Sequence, residues 1–317
     1  MNADTRRLPR QLLITGGCGF IAANLIPRLA RAGNVRIRAL DNESLGQRAH
    51  IADLPAEFVH ADIRDRAALD RALAGVDAVI HLAAHTRVIE SIENPAYNFE
   101  INASGTLTLL EAMRAAGVRR LINASTGGAI LGEVEPPVHE NMVPRPIAPY
   151  GASKLTAEAY CMAYTGSYGL RALSLRFSNV YGPRSFHKGS VVAAFIKRIL
   201  ANERVHIYGD GSQVRDYVFV DDLCDGIIAG VNADVSGVIQ LGSGIPVTVD
   251  QLLDALSEVV RPRTIERVYE PFRDGEIRHT YCDIRKAREE LGYDPRTPLR
   301  EGLARTWNWF VAQQGGG

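Results

Sequence analysis

The 317-residue sequence predicts an α/β fold built on a doubly wound parallel sheet, with a smaller interleaved α/β lobe in its carboxyl half. Two observations predict this fold class. Short apolar segments alternate with helical patterns through the first half of the chain, which favours parallel strands joined by helices. A glycine-rich turn also follows the first apolar segment and precedes the first helical pattern. In open parallel sheets the ligand binds at the carboxyl ends of the strands, so the functional residues are expected there.

The first strand and turn predict a dinucleotide site of the Rossmann type. Leu12-Leu13-Ile14-Thr15 reads as a buried strand and runs into residues 16–22, Gly-Gly-Cys-Gly-Phe-Ile-Ala, before a helical pattern that continues to Gly33. Glycines let the backbone pass close to a pyrophosphate, and the N–H groups at the start of the next helix meet its charge. The cofactor-binding residues predicted from this turn are Gly16, Gly19, Phe20 and Ile21.

The second strand predicts the choice of cofactor. Residues 35–40 form this strand, and it ends at Asp41 and Asn42. Dinucleotide folds place there the acid that accepts the adenosine ribose hydroxyls. A carboxylate would repel a 2′-phosphate, so Asp41 favours NAD over NADP. The alternative is a turn aspartate that caps the next segment.

The next elements continue the alternation. Residues 62–65 close a third strand and open a helix over 66–74, and residues 78–84 form a fourth strand. A helix over 104–115 and a strand over 121–124 follow. Small residues at the end of the fourth strand leave space for a cofactor. The predicted cofactor site therefore also includes Asp62, Ile63, Leu82, Ala83 and Ala84.

Tyr150 and Lys154 are the predicted acid–base pair. Four positions apart at a helix start, their side chains project from one face. An ammonium beside a phenol favours the phenolate, so a tyrosine that normally titrates near ~10 would accept a proton close to neutral pH. Lysine is also rare here, with four lysines against thirty-two arginines. The alternative is a surface tyrosine on an ordinary amphipathic helix.

The order and spacing of these motifs resemble the extended short-chain dehydrogenases/reductases. Within that family they are most similar to the nucleotide-sugar epimerases and dehydratases, with UDP-glucose 4-epimerases as the nearest type. The likeness covers nearly the whole chain, through segments 15–21, 62–65, 81–84, 125–130, 150–154, 176–183, 209–216 and 273–276.

The resemblance implies a catalytic group and a mechanism. A serine or threonine that hydrogen-bonds the substrate hydroxyl and the tyrosine is implied after strand 121–124, with Thr126 the first choice and Ser125 the second. Tyr150 would take the proton of the sugar's C4 hydroxyl while NAD accepts the C4 hydride, and the 4-keto sugar would then receive the hydride on its opposite face. Lys154 would lower the tyrosine pKa and bond the nicotinamide ribose. Family dehydratases carry an Asp-Glu pair where residues 127 and 128 are glycine here, which favours epimerisation.

The resemblance also implies how the ligands are held. Asn102 and Phe177 join the cofactor site, and a nucleotide-diphosphate sugar, most often a UDP-sugar, is the expected substrate. Arginine suits diphosphate binding because its fork of donors matches phosphate oxygens. Tyr208 could equally be a core residue, and Arg215 could instead pair with Asp216. The implied substrate-binding residues are Thr86, Thr126, Asn179, Val192, Tyr208, Arg215 and Arg273.

Departures from the family pattern leave the sugar open. Thr280 falls near a gatekeeper position, where a small residue leaves space for an N-acetyl group, so UDP-N-acetylhexosamines join UDP-glucose and UDP-galactose as expected substrates. UDP-glucuronate 4-epimerisation is the nearest alternative, because His85 and Arg184 could hold a carboxylate. Asn179 counts against it, since those enzymes usually have threonine in this stretch. An NDP-sugar dehydratase comes third. A non-catalytic NAD-binding regulatory protein is the alternative of a different class.

Bulk properties predict a cytoplasmic enzyme with no nucleic-acid or membrane partner. The formal net charge is zero, so electrostatics give no case for either. The apolar run after the polar, Arg-rich residues 1–11 is too short for a signal peptide or membrane span. The cysteines lack metal-ligand spacing and predict reduced thiols, with neither disulfides nor a metal site; they are Cys18, Cys161, Cys224 and Cys282.

The predicted domains interleave. Residues 1–180 are expected to form the NAD-binding Rossmann domain, joined by a returning strand near 236–243, while residues 181–317 form mainly the nucleotide-sugar lobe. The resemblance further implies a homodimer through the helices at 104–115 and 151–168, which would build a four-helix bundle across two chains.

Overall fold

The structure is a computed structural model that describes residues 8–185, 187–272 and 277–314. Its strands are β1 Gln11–Thr15, β2 Arg36–Asp41, β3 Glu57–His60, β4 Ala78–His81, β5 Arg120–Thr126, β6 Arg171–Phe177, β7 Asn179–Tyr181, β8 Val205–Tyr208, β9 Val214–Phe219, β10 Gly237–Leu241, β11 Pro246–Thr248 and β12 Arg267–Glu270.

Helices connect and cover these strands. They are α1 Phe20–Ala32, α2 Arg66–Ala72, α3 Val88–Glu93, α4 Pro95–Phe99, α5 Gly105–Ala116, α6 Gly128–Leu131, α7 Pro149–Tyr168, α8 Val191–Leu200, α9 Val220–Asn232, α10 Val249–Val259, α11 Arg285–Leu291 and α12 Leu299–Gln314. A 3₁₀ turn spans Arg48–Ile51, and a π-helical turn, Glu100–Ser104, joins α4 to α5. The helix expected at 104–115 is therefore the last part of a longer helical stretch.

The main sheet has seven strands in the order β10-β6-β5-β4-β1-β2-β3, and neighbouring strands pair in parallel. This confirms the predicted doubly wound fold. The chain reverses its winding direction between β1 and β4, so a crevice opens where their carboxyl ends diverge. The turn after β1 and the residues after β4 meet at that crevice.

Helices cover both faces of the main sheet because its strands alternate their apolar side chains. Leu12 and Ile14 in β1 pack into the same core as α1 and α9, whereas Leu13 packs on the opposite side with α2 and α5. These side chains are fully buried. The two cores fix the sheet rigidly and so fix the strand ends that form the site.

The carboxyl half supplies a third core. It contains a three-stranded sheet, β11-β9-β7, and a two-stranded sheet, β12-β8. Apolar side chains of α8, α10 and α12 pack against these strands, among them Phe195, Leu252 and Phe310. β10 lies at the edge of the main sheet beside β6, so the chain does return to that sheet between segments of the smaller lobe. The exact domain limits stay a prediction.

Two features bear on cellular context. Within the part of the chain that the structure describes, no helix has both the length and the apolar character needed to cross a membrane. The four cysteines are free thiols and are buried, namely Cys18, Cys161, Cys224 and Cys282.

Candidate active site

A cleft of about 1400 Å³ opens at the carboxyl ends of the main-sheet strands and extends under the smaller lobe. Most of the predicted site residues line it. They are Gly16, Gly19, Phe20, Ile21, Asp41, Asn42, Asp62, Ile63, Leu82, Ala83, Ala84, Thr86, Ser125, Thr126, Tyr150, Phe177, Asn179, Val192, Tyr208 and Arg215. Lys154 and Asn102 lie behind the lining instead. Arg273 falls outside the described residues.

The turn between β1 and α1 has the shape that a diphosphate requires. Gly16 has a φ of +67°, and a Cβ at this position would lie 2.6 Å from the backbone nitrogen of Ala83. Only glycine fits such a close approach between two backbone segments. Helix α1 begins directly after Gly19 and has no acidic residue in its first turn. Its first N–H groups therefore face the cleft as an anion-binding site.

Asp41 lies beside this turn at the end of β2. Its carboxylate accepts hydrogen bonds from the backbone N–H groups of Cys18, at 3.0 Å, and Glu43, at 2.8 Å. Burial raises the pKa of Asp41, and these backbone hydrogen bonds oppose the rise. Asn42 donates to Asp62 at 2.9 Å, which ties the ends of β2 and β3 together. These residues fit the ribose and diphosphate of a dinucleotide.

A buried histidine network holds the end of β4 against β1. Thr106 Oγ1 donates to the carbonyl oxygen of Asn102 at 2.6 Å, so it accepts from Nε2 of His81 at 3.0 Å. The other ring nitrogen, Nδ1, then accepts from Oγ1 of Thr15 at 2.6 Å. Burial lowers the pKa of His81 to about 3, so the ring is neutral. The network fixes the backbone that meets Gly16.

Thr126 and Tyr150 come together from two different elements. Thr126 ends β5, and Tyr150 lies in the first turn of α7, where its hydroxyl comes within reach of the Thr126 side chain. The backbone N–H of Tyr150 donates to Oγ of the fully buried Ser91 at 3.1 Å. Ser91 thus accepts a hydrogen bond from a free N–H group at the start of the helix that positions the tyrosine. This role could not be predicted, because Ser91 is distant from Tyr150 in the sequence.

The expected lowering of the tyrosine pKa is not observed. Burial raises the pKa of Tyr150 to about 12, and the hydrogen bond with Thr126 only partly opposes the rise. Lys154 is 4% exposed, and its Nζ donates to the carbonyl oxygen of Ala124 at 2.9 Å. Burial also lowers the pKa of Lys154 to about 8, while Glu158 raises it. Desolvation is therefore the largest influence on the pKa of both groups in this structure.

Asn102 has a positioning role rather than a place in the cleft wall. Its side chain accepts the backbone N–H of His85 at 2.8 Å and donates to the carbonyl oxygen of His85 at 3.0 Å. It also donates to Ser153 Oγ at 3.0 Å, and Ser153 donates to Asn98 at 2.7 Å. These amides join α7 to the loop after β4. His85 lines the cleft, and its Nε2 lies 2.9 Å from Glu90.

Two glycines next to Thr126 leave room for side chains from the smaller lobe and from β10. A Cβ at Gly127 would lie 2.6 Å from Oε1 of Gln240, and a Cβ at Gly128 would lie 3.2 Å from Oγ1 of Thr280. Ser125 Oγ and both amide atoms of Gln240 are buried and have no hydrogen-bond partner among the described residues. Sequence reasoning missed Gln240, which stands 113 positions from Gly127 in the numbering.

The substrate side of the cleft comes from the second half of the chain. Arg215 Nη1 donates to the carbonyl oxygens of Val214, at 2.9 Å, and Arg278, at 3.0 Å. Asp216 accepts instead from Ser243 and from the backbone N–H of Gly244, at 2.8 and 3.0 Å. The carboxylate of Asp216 therefore has a structural role of its own.

A model of the "NAD dependent epimerase/dehydratase family" matches residues 12–242. The chain belongs to this family. A "Putative UDP-glucose 4-epimerase" of Methanocaldococcus jannaschii is 39% identical over 304 residues, which cover 94% of this chain and 98% of that protein. The crystal structure of UDP-glucose 4-epimerase from Thermotoga maritima with UDP-glucose has a TM-score of 0.92 and 38% identity, covering 96% of this chain and 99% of that one.

A third similar protein differs in its sugar. The UDP-N-acetylglucosamine 4-epimerase from Methanobrevibacter ruminantium, solved in complex with UDP-N-acetylmuramic acid, has a TM-score of 0.89 and 30% identity, covering 96% of this chain and 99% of that one. The family resemblance predicted from the motifs is confirmed. The family description includes both epimerases and dehydratases, so the reaction must be argued from the residues of this cleft.

Proposed function

We propose that this protein is an NAD-dependent nucleotide-sugar 4-epimerase that acts on UDP-hexoses or UDP-N-acetylhexosamines through a transient 4-keto sugar. The supporting observation is that Thr126 and Tyr150 lie side by side in the lining of the same cleft as the predicted diphosphate-binding turn. A phenol and a hydroxyl in contact can hold one sugar hydroxyl between them and take its proton.

Each residue near the pair has a separate task. Tyr150 removes the proton of the C4 hydroxyl and later returns it, and Thr126 orients that hydroxyl. Lys154 places a positive charge one helical turn after the tyrosine in α7, where it favours the phenolate when Tyr150 is deprotonated. Bound NAD supplies the acceptor that takes the C4 hydride and gives it back to the other face of the sugar.

The residues beside Thr126 favour epimerisation over elimination. Elimination needs an acid and a base at neighbouring sugar carbons, and residues 127 and 128 are glycines. Gln240 occupies the space into which a side chain at residue 127 would extend. Its amide does not ionise at ordinary pH, so it cannot replace the missing acid.

The cleft also bears on the sugar. Thr280 lines the cleft opposite Gly128 and is small, which leaves space for an N-acetyl group. The two residues expected to hold a glucuronate carboxylate are engaged elsewhere. Arg184 donates to the carbonyl oxygen of His50 at 3.1 Å, and His85 is paired with Glu90. UDP-glucuronate is therefore the weaker candidate.

The proposed enzyme is a cytoplasmic homodimer. Helix α7 exposes Tyr160, Met162 and Tyr168, with relative accessibilities of 41%, 47% and 53%, and it packs on α5. Large apolar side chains exposed on this helix favour burial against a second copy. Free buried thiols are typical of a reducing compartment. Light scattering on the purified protein tests the dimer, and a monomer at micromolar concentration would contradict it.

Product analysis tests the proposed reaction. Purified protein without added NAD is incubated separately with UDP-glucose, UDP-N-acetylglucosamine, UDP-glucuronate and dTDP-glucose, and the sugars are followed by NMR. We expect the C4 epimer from at least one UDP-hexose or UDP-N-acetylhexosamine, and none from the Tyr150→Phe variant. A stable 4-keto product would instead identify a dehydratase. No conversion of any sugar, even with NAD supplied, would contradict the proposal.

A further inference from the structure

Lys188 is a cleft residue that the proposed mechanism does not use. It lies in the segment between β7 and α8, of which residues 182–185 and 187–190 are described. Its side chain is half-buried and lines the cleft, with Nζ 5.1 Å from the centroid of the Phe20 ring. Phe20 is the first residue of α1, so this ammonium lies close to the amino end of that helix.

The backbone on both sides of Lys188 is fastened to other elements. Before it, Asn24 of α1 donates to the carbonyl oxygen of Pro183 at 3.0 Å. The backbone N–H of Lys188 donates to the carbonyl oxygen of Ser185 at 2.9 Å. From α8, Nζ of Lys197 donates to the carbonyl oxygen of Lys188, also at 2.9 Å. These contacts fix the backbone from which the Lys188 side chain extends to the Phe20 ring.

Lys188 has no counter-charge within the described residues, where its Nζ forms neither an ion pair nor a hydrogen bond. Two carboxylates of the cleft lining are paired with arginines: Asp62 with Arg64, and Glu90 with Arg87. Burial lowers the pKa of Lys188 to about 8, and an anion at Nζ would oppose that effect.

We propose that Lys188 binds a phosphate oxygen of a diphosphate held in the cleft. Lys188 and the first residues of α1 line the same cleft, so an anion bound between them would accept hydrogen bonds from both. The cofactor's diphosphate is one source of that oxygen and the diphosphate of the nucleotide sugar is the other. The inference rests on the proposed ligands of the cleft, but it concerns binding and not turnover.

The test uses Lys188→Met, which keeps the unbranched stem on Phe20 and removes the charge. Arg10→Met is the matched control, because it removes one positive charge from an exposed residue outside the cleft. One arm measures the release rate of bound NAD from the purified protein by exchange with isotope-labelled NAD. The second arm measures the affinity of the NAD-bound protein for UDP by calorimetry.

Loss of one charge-assisted hydrogen bond to phosphate corresponds to about a 10- to 100-fold change in the release rate of NAD or in the affinity for UDP. We expect a change of this size in Lys188→Met, recovery to within a few-fold in Lys188→Arg, and no change in Arg10→Met. Faster release of NAD assigns the contact to the cofactor, and weaker UDP binding assigns it to the nucleotide sugar. The proposal is overturned if both quantities stay unchanged, or if Lys188→Arg fails to recover the loss. A protein without epimerase activity would still give a clear result in both arms.

Discussion

Replacing Lys154 with methionine is expected to stabilise the fold while it removes activity. Burial lowers the pKa of Lys154 from 10.5 to about 8. Between those pH values the unfolded chain binds more protons than the folded chain, so this group's contribution to stability rises with pH and is lost as pH falls toward 8. At pH 7 the burial of the charged Lys154 side chain lowers the free energy of unfolding by about 3 kcal/mol. The hydrogen bond from Nζ to Ala124, 2.9 Å long, offsets about 1 kcal/mol of it.

The free energy of unfolding in urea, measured at pH 7 and again at pH 10, tests this expectation. Lys154→Met should be more stable than the parent protein by about 2 kcal/mol at pH 7, and the difference should nearly vanish at pH 10. Other titrating groups are common to both proteins and cancel in the comparison. Lys286→Met is the control, since Lys286 donates to the carbonyl oxygen of Val238 outside the cleft. A variant less stable at pH 7, or a difference independent of pH, would refute the reasoning.

Three further substitutions test the site. Tyr150→Phe should lower kcat by about 10²- to 10⁴-fold with bound NAD retained, and an unchanged kcat would exclude the tyrosine as the acid–base group. Asp41→Ala should weaken NAD binding about tenfold or more in a titration, because the carboxylate both faces the ribose site and accepts the N–H of Cys18; equal affinity would reject this assignment. Gly16→Ala should lower Tm far more than Gly75→Ala. Both glycines have a φ near +70°, but a Cβ at Gly16 meets the backbone of Ala83 at 2.6 Å, whereas a Cβ at Gly75 meets no atom within 4 Å. Similar losses of Tm would show that the close approach does not matter.

The main sheet could be predicted from the sequence because its signals are local. The strand around Leu13, the turn at Gly16 and the acid at Asp41 each follow from a short stretch of residues whose type decides the backbone conformation. Tyr150 and Lys154 could likewise be placed on one helix face from their spacing alone. These local sequence patterns predict the conformation of single elements and the order in which the strands pair.

Contacts between distant segments could not be predicted. Ser91 meets the backbone of Tyr150, and Gln240 meets Gly127, only after the chain has folded. Asn102 belongs to the family pattern, but only the structure shows that its amide holds the backbone of His85. The direction of the Tyr150 pKa shift also depends on burial, which the spacing of two residues does not report. The sequence shows Lys188 only as one of four lysines, because its position over Phe20 depends on the folded chain.

The most direct test of the proposed function is the fate of the hydrogen at C4. UDP-glucose or UDP-N-acetylglucosamine deuterated at C4 is incubated with the purified protein in ordinary water without added NAD, and the product is analysed by NMR and mass spectrometry. Epimerisation through a transient 4-keto sugar predicts an inverted C4 that keeps its deuterium, because the same hydride leaves and returns within one closed site. Deuterium that appears at C6 or is lost to water, or a C4 configuration that stays unchanged for these and the other UDP-hexoses, would contradict the proposed function.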